Sequence, residues 1–104
     1  MSLFGEKIKH LRELQGLLQR DVAQKLAIDA PMLSKIEKGE RNAKRGQVVV
    51  LSKIFNMAED ELILLWIADK VYAIVKDEDV ALKALSVTEE ELKINSIRKK
   101  SGKK

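Results

Sequence analysis

Between Lys35 and Arg45 the chain places five cations, Lys35, Lys38, Arg41, Lys44 and Arg45, within eleven residues, against only Glu37 and Glu40. Arginine and lysine side chains, short polar side chains and the free N–H groups that open helices are the groups that hold phosphate. The chemistry on offer is therefore polyanion binding. Asn42 lies in the same segment and can donate to phosphate, or it can stabilise the turn it stands in. Catalytic sets are missing. His10 is the only histidine and sits between Lys9 and Leu11, off the apolar stripe of its segment. With no cysteine anywhere, it makes neither a metal set nor a nucleophile–base pair, and disulfides and thiol chemistry are excluded. Asp77-Glu78-Asp79 lacks the spacing and central glycine of a calcium loop. No glycine-rich phosphate loop occurs. No enzymatic activity, cofactor, metal or small-molecule effector is expected.

Charge is distributed unevenly along the 104 residues, whose formal net charge is +4. Residues 1–56 carry eleven Lys/Arg and six Asp/Glu, a balance of +5; residues 57–97 carry four and ten, a balance of −6; the last seven residues add five positive charges. A basic first half beside an acidic second half points to a polyanion partner for the first half alone. The longest apolar run, Leu62 to Ala68, is far short of the roughly 18 residues needed to span a bilayer. The opening MSLFGEK has no apolar leader core. A cytoplasmic protein without membrane partners is expected.

The cations must be held by the stretch just before them, Gln19 to Gly39, which reads as two short helices joined by a tight corner. Apolar residues fall at Val22, Leu26, Ile28, Leu33 and Ile36, with small Ala23 where the helices would touch. Such a pair pins its apolar side to a core and leaves part of its second helix free. Asp29 is placed to cap that second helix and Pro31 falls in its first turn, where no N–H is needed. The stretch resembles the Cro/repressor-type (Xre family) helix-turn-helix, and the resemblance covers roughly Phe4 to Leu65, including the trailing Ile36-Glu37-Lys38-Gly39-Glu40-Arg41.

That resemblance implies a helical DNA-binding domain acting as a transcription regulator. It implies that Ala30, Pro31, Ser34 and Lys35 face base edges, and that Gln19, Lys38, Arg41, Asn42, Lys44 and Arg45 serve the DNA-contact surface. Alanine and proline cannot make bidentate base contacts, so direct reading would fall mainly to Lys35 donating to guanine. DNA shape would supply much of the rest. The resemblance also implies an ion pair between Arg12 of the first helix and Glu37. One position departs from the family: Ala27 stands where glycine is usual. Either alanine takes left-handed backbone there, at a cost of about 1 kcal/mol, or the corner has another shape.

The flanking elements follow from periodicity and caps. A first helix is predicted over Leu3–Leu14, with Ser2 as its cap and Gly16 at its end. The corner pair occupies Gln19–Leu26 and Ala30–Lys38. A fourth helix spans Arg45–Phe55: Val48, Val49 and Val50 suit a strand, but Val48, Leu51, Ile54 and Phe55 keep helical spacing. A fifth runs from near Ala58 to Val75. The fold class is all-α, a five-helix domain over residues 1–75 with a short helical extension over 76–97 and a disordered basic tail over 98–104. In the extension, Asp77–Leu85 reads as one short helix and Thr88-x-x-Glu91 as the capping box of another, with Leu85, Val87 and Leu92 folding back on the fifth helix. The fifth helix is apolar all round, which demands burial on more than one side. This predicts a homodimer with Leu62, Leu65, Trp66 and Tyr72 at its interface, bound to double-stranded DNA at a palindromic operator. The extension looks most like that of controllers of restriction–modification loci. The competing reading is a protein–protein module or antitoxin-like partner on the same fold, favoured by the poor base-reading pair Ala30 and Pro31.

Overall fold

The computed structural model describes the backbone of residues 2–102 and the side chains of residues 2–97. Among the described residues there are six helices: α1 Leu3–Leu14, α2 Gln19–Lys25, α3 Ala30–Lys38, α4 Arg45–Ile54, α5 Glu59–Val75 and α6 Ala81–Gly102. No strand occurs among the described residues, so the fold is all-α. The chain divides into two compact units, residues 1–72 and 73–104. No helix among the described residues is long and apolar enough to cross a membrane.

In the first unit, local signals and packing agree. Ser2 caps α1, its hydroxyl accepting from the Gly5 N–H at 2.8 Å. Phe4 and Ile8 then point into the core at 3% and 1% exposure. Gly16 leaves α1 with φ 68°. Val22, Ala23 and Leu26 of the α2 segment meet Leu33 and Ile36 of α3 in the same core, with Val48, Leu51 and Phe55 from the α4 segment and Leu62 and Ile63 from α5. The three valines of α4 are helical despite their strand propensity. Val48 and Leu51 are fully buried, and that burial outweighs a preference spanning only about 1 kcal/mol.

The α2–α3 corner resolves the question raised by Ala27. Its φ is 59°, so alanine adopts the left-handed conformation. The Ala27 N–H donates to the Gln24 carbonyl at 3.1 Å and the Ile28 N–H to the Ala23 carbonyl at 3.0 Å, the double bond of a Schellman ending. Half-buried Ile28 packs on the core. These interactions hold the strained residue in place.

One glycine is demanded by packing. A Cβ on Gly5 would lie 2.5 Å from the Glu37 carbonyl oxygen and 2.7 Å from that of Ile36. α1 therefore crosses the C-terminal end of α3 at backbone contact. From the other side Asp69 of α5 grips the start of α1. Its carboxylate accepts from the Ser2 hydroxyl at 2.5 Å and from the Leu3 and Phe4 N–H groups at 2.9 and 3.1 Å. An anion at the positive end of a helix satisfies donors that the helix itself leaves open.

The second unit departs from the sequence expectation. The sequence predicts two short helices; α6 is a single helix beginning at Ala81. Thr88 does not open a helix. Its hydroxyl donates to the Ala84 carbonyl at 2.8 Å, the back-bond a threonine makes inside one. No glycine or proline between Ala81 and Glu91 interrupts the ladder, so the local capping motif loses to helix continuation. Leu85, Val87 and Leu92, expected to be covered, are 37%, 68% and 64% exposed. The basic tail expected over 98–104 begins within α6, whose backbone runs to Gly102; Lys103 and Lys104 lie outside the described residues.

Candidate nucleic-acid interface

α3 starts from Asp29, whose carboxylate accepts from the Met32 N–H at 2.8 Å. Pro31 sits in the first turn and Gly39 ends the helix in left-handed backbone at φ 81°. Leu33, Ile36 and Glu37 are buried. The opposite side is open: Pro31, Lys35 and Lys38 are exposed, and Ala30 and Ser34 are half-buried. All five positions expected to serve DNA are thus on the accessible part of α3.

The base of this helix is fixed by a buried ionic network. Arg12 Nε donates to Glu37 Oε2 at 2.7 Å and Nη2 to Oε1 at 3.2 Å, a bidentate pair with side chains 11% and 3% exposed. Arg12 Nη1 also donates to the Leu17 carbonyl at 2.9 Å. The hydrogen bond to Glu37 holds the Arg12 guanidinium above its ordinary pKa, against the opposing effect of burial. Gln19 joins the network, its amide donating to Glu37 Oε1 at 2.9 Å. This half-buried side chain, expected to serve the DNA-contact surface, thus also ties the start of α2 to α3. What remains open at that end is helix-start backbone, with the Leu18 N–H taken by the Asp21 carboxylate at 3.0 Å.

The basic segment after α3 is anchored at its middle. Ala43 is 4% exposed, whereas Arg41, Asn42, Lys44 and Arg45 on either side of it are exposed. The anchor is twofold. The Ala43 methyl enters the core, and its carbonyl accepts from Trp66 Nε1 at 2.8 Å. Gln47 then accepts from the Lys44 N–H at 2.8 Å and starts α4. A small apolar residue among four polar ones gives no periodic signal, so composition alone does not mark Ala43 as the pin.

The interface residues expected on α5 divide differently. Leu62 is 0% exposed inside its own core and has no surface for a second copy. Leu65 and Trp66 pack against that core as partly buried neighbours. Tyr72 alone of the four is on the surface, at 62%. The exposed apolar residues of α5 within the first unit are Leu64, Ile67, Val71 and Tyr72. Trp66 also carries two cations on its ring: Arg45 Cζ lies 5.8 Å and Lys70 Nζ 4.4 Å from the centroid. Sequence reasoning misses Lys70, although its i+4 spacing from Trp66 is the signal that could find it.

A helix pair with a buried inner side, an open outer side and an anchored basic loop behind it is the arrangement needed to enter a major groove. The Helix-turn-helix family model matches residues 8–62. The chain belongs to that family. It is a Cro/repressor-type (Xre) helix-turn-helix protein, a class that binds DNA to regulate transcription. No match was found among curated proteins or among solved structures. The matched stretch holds α2 and α3 together with the basic loop, α4 and the start of α5, so the DNA-contact candidates of this helix-turn-helix all fall inside it.

Proposed function

We propose that the protein is a sequence-specific regulator that binds a palindromic operator as a homodimer. The observation that carries this is the open face of α3, with Pro31 and Lys35 exposed directly before the exposed cations Arg41, Lys44 and Arg45. α3 acts as the recognition helix. Lys35 donates to a guanine edge with Ser34 beside it, and Ala30 and Pro31 make at most methyl contacts. Lys38, Arg41, Asn42, Lys44 and Arg45 hold phosphates, as does Gln19 at the start of α2. Regulation follows from occupancy of a promoter.

Dimerisation uses the outward side of α5. Leu64, Ile67 and Val71, spaced by three and four residues, form one helical stripe at 66%, 42% and 36% exposure, with Tyr72 at its edge. Two-fold pairing of that stripe is self-complementary. It sets two recognition helices about 34 Å apart, one turn of DNA. A weak direct reader gains most from such pairing, because the second half-site is met at high effective concentration.

Site selection from a random duplex library, followed by salt titration, tests the reading. Inverted-repeat sites are expected. Alanine at Arg41, Lys44 and Arg45 together should make the log–log salt slope shallower by about 0.9 for each phosphate no longer neutralised. Lys35→Ala should instead relax preference at one base pair, by roughly 1–3 kcal/mol if it reads guanine. An unchanged slope in the triple variant would remove the phosphate clamp. A monomer in sedimentation equilibrium that selects no site would favour the protein–protein module.

A further inference from the structure

We infer that Lys70, a cation of the net-acidic second half, is an additional phosphate contact, sharing the Trp66 ring with Arg45; the inference rests on the DNA-binding reading above. Trp66 is held by its Nε1–H bond to the Ala43 carbonyl at 2.8 Å. That bond ties the ring to the middle of the basic loop. Lys70 Nζ and Arg45 Cζ lie 4.4 and 5.8 Å from the ring centroid, so the two charges are no further apart than about one Debye length at 0.1 M salt. Both residues are exposed. Among the described residues neither has a carboxylate at ion-pair distance.

Two cations drawn to one ring attract it and repel each other. Among the described residues no carboxylate pairs with either at ion-pair distance, and an external anion would relieve the repulsion. A DNA duplex carries one negative charge per about 1.7 Å of its axis, so it presents several phosphates across the span of this pair. Arg45 is already placed on the phosphate-contact surface by its position at the start of α4. Lys70 shares the ring with it and therefore extends that surface onto α5. The uneven charge along the sequence hides this, because Lys70 is flanked by Asp69 and counted with the acidic half.

The test uses the full chain and a short duplex of random sequence. Binding is followed by fluorescence anisotropy between about 50 and 200 mM salt, the range over which phosphate contacts are read. Lys70→Gln should make the slope shallower by about 0.9, so that its affinity relative to the wild type changes about 3.5-fold across that range. Lys70→Arg, which keeps the charge, should restore the slope. Lys83→Gln removes the same charge from α6 and should leave the slope unchanged. Because Lys70 is exposed, circular dichroism should show all variants folded. A wild-type slope in Lys70→Gln overturns the inference and leaves the DNA reading standing. An equal reduction in Lys83→Gln also overturns it, since net charge alone would then explain the effect. A wild type that binds no duplex even at low salt overturns the DNA reading and this inference together.

Discussion

Replacing Arg12 with methionine removes three hydrogen bonds at once, two to Glu37 and one to the Leu17 carbonyl. Among the described residues Glu37 then keeps only the Gln19 amide at 2.9 Å, while its side chain stays 3% exposed. That burial decides the magnitude. An exposed pair is worth about 0–1 kcal/mol, but stranding one charge of a buried pair costs about 3–5 kcal/mol. Native stability is about 0.05–0.15 kcal/mol per residue, so the change removes a large fraction of it. The midpoint of thermal unfolding should fall by at least about 12 °C, at a minimum of about 4 °C per kcal/mol. Thermal and urea unfolding, both followed by circular dichroism, are the assays. The double variant Arg12→Met/Glu37→Met is the control: with both charges gone, no desolvated carboxylate remains, and it should be more stable than Arg12→Met alone. The pair should not titrate through Arg12 in the neutral range. A base with a raised pKa loses its contribution only as pH rises through that raised value, and the Arg12 value lies above its already high ordinary one. A cost under about 1 kcal/mol for Arg12→Met, or a double variant no better than the single, would refute the reasoning.

Three further substitutions probe the same framework. Gly5→Ala should destabilise by roughly 1–3 kcal/mol, since its Cβ would lie 2.5 Å from a backbone carbonyl oxygen; a lower urea midpoint at unchanged m-value checks it. Ala27→Gly should raise stability by up to about 1 kcal/mol, because φ at this position is 59°, and differential scanning calorimetry would register a higher midpoint. Trp66→Phe keeps the apolar ring but leaves the Ala43 carbonyl without its donor, a cost of about 1–3 kcal/mol if no water replaces it; duplex affinity should fall with it as the basic loop loosens.

The part of the fold that is legible in the sequence is the part where a local signal and the core agree on the same residue. Ser2, Gly16, Asp29 and Gly39 each mark a helix end by their own backbone or side-chain chemistry, and each belongs to a helix whose inner side the core buries. The Arg12–Glu37 pair is legible only through family resemblance, because nothing in 25 residues of separation says that two charges meet. Helix α5 is illegible in a different way. With Leu62 through Ile67 all apolar, no hydrophobic phase exists to say which side faces inward, and only the tertiary packing separates buried Leu62 from exposed Leu64. Trp66 is misread for the same reason. A hydropathy pattern counts it as apolar surface, but its N–H and the negative face of its ring are what it uses, one on the Ala43 carbonyl and the other on Arg45 and Lys70. The consequence reaches function. The helix whose outward stripe is proposed to pair two copies is also the helix whose tryptophan holds the middle of the basic loop, through its N–H on the Ala43 carbonyl.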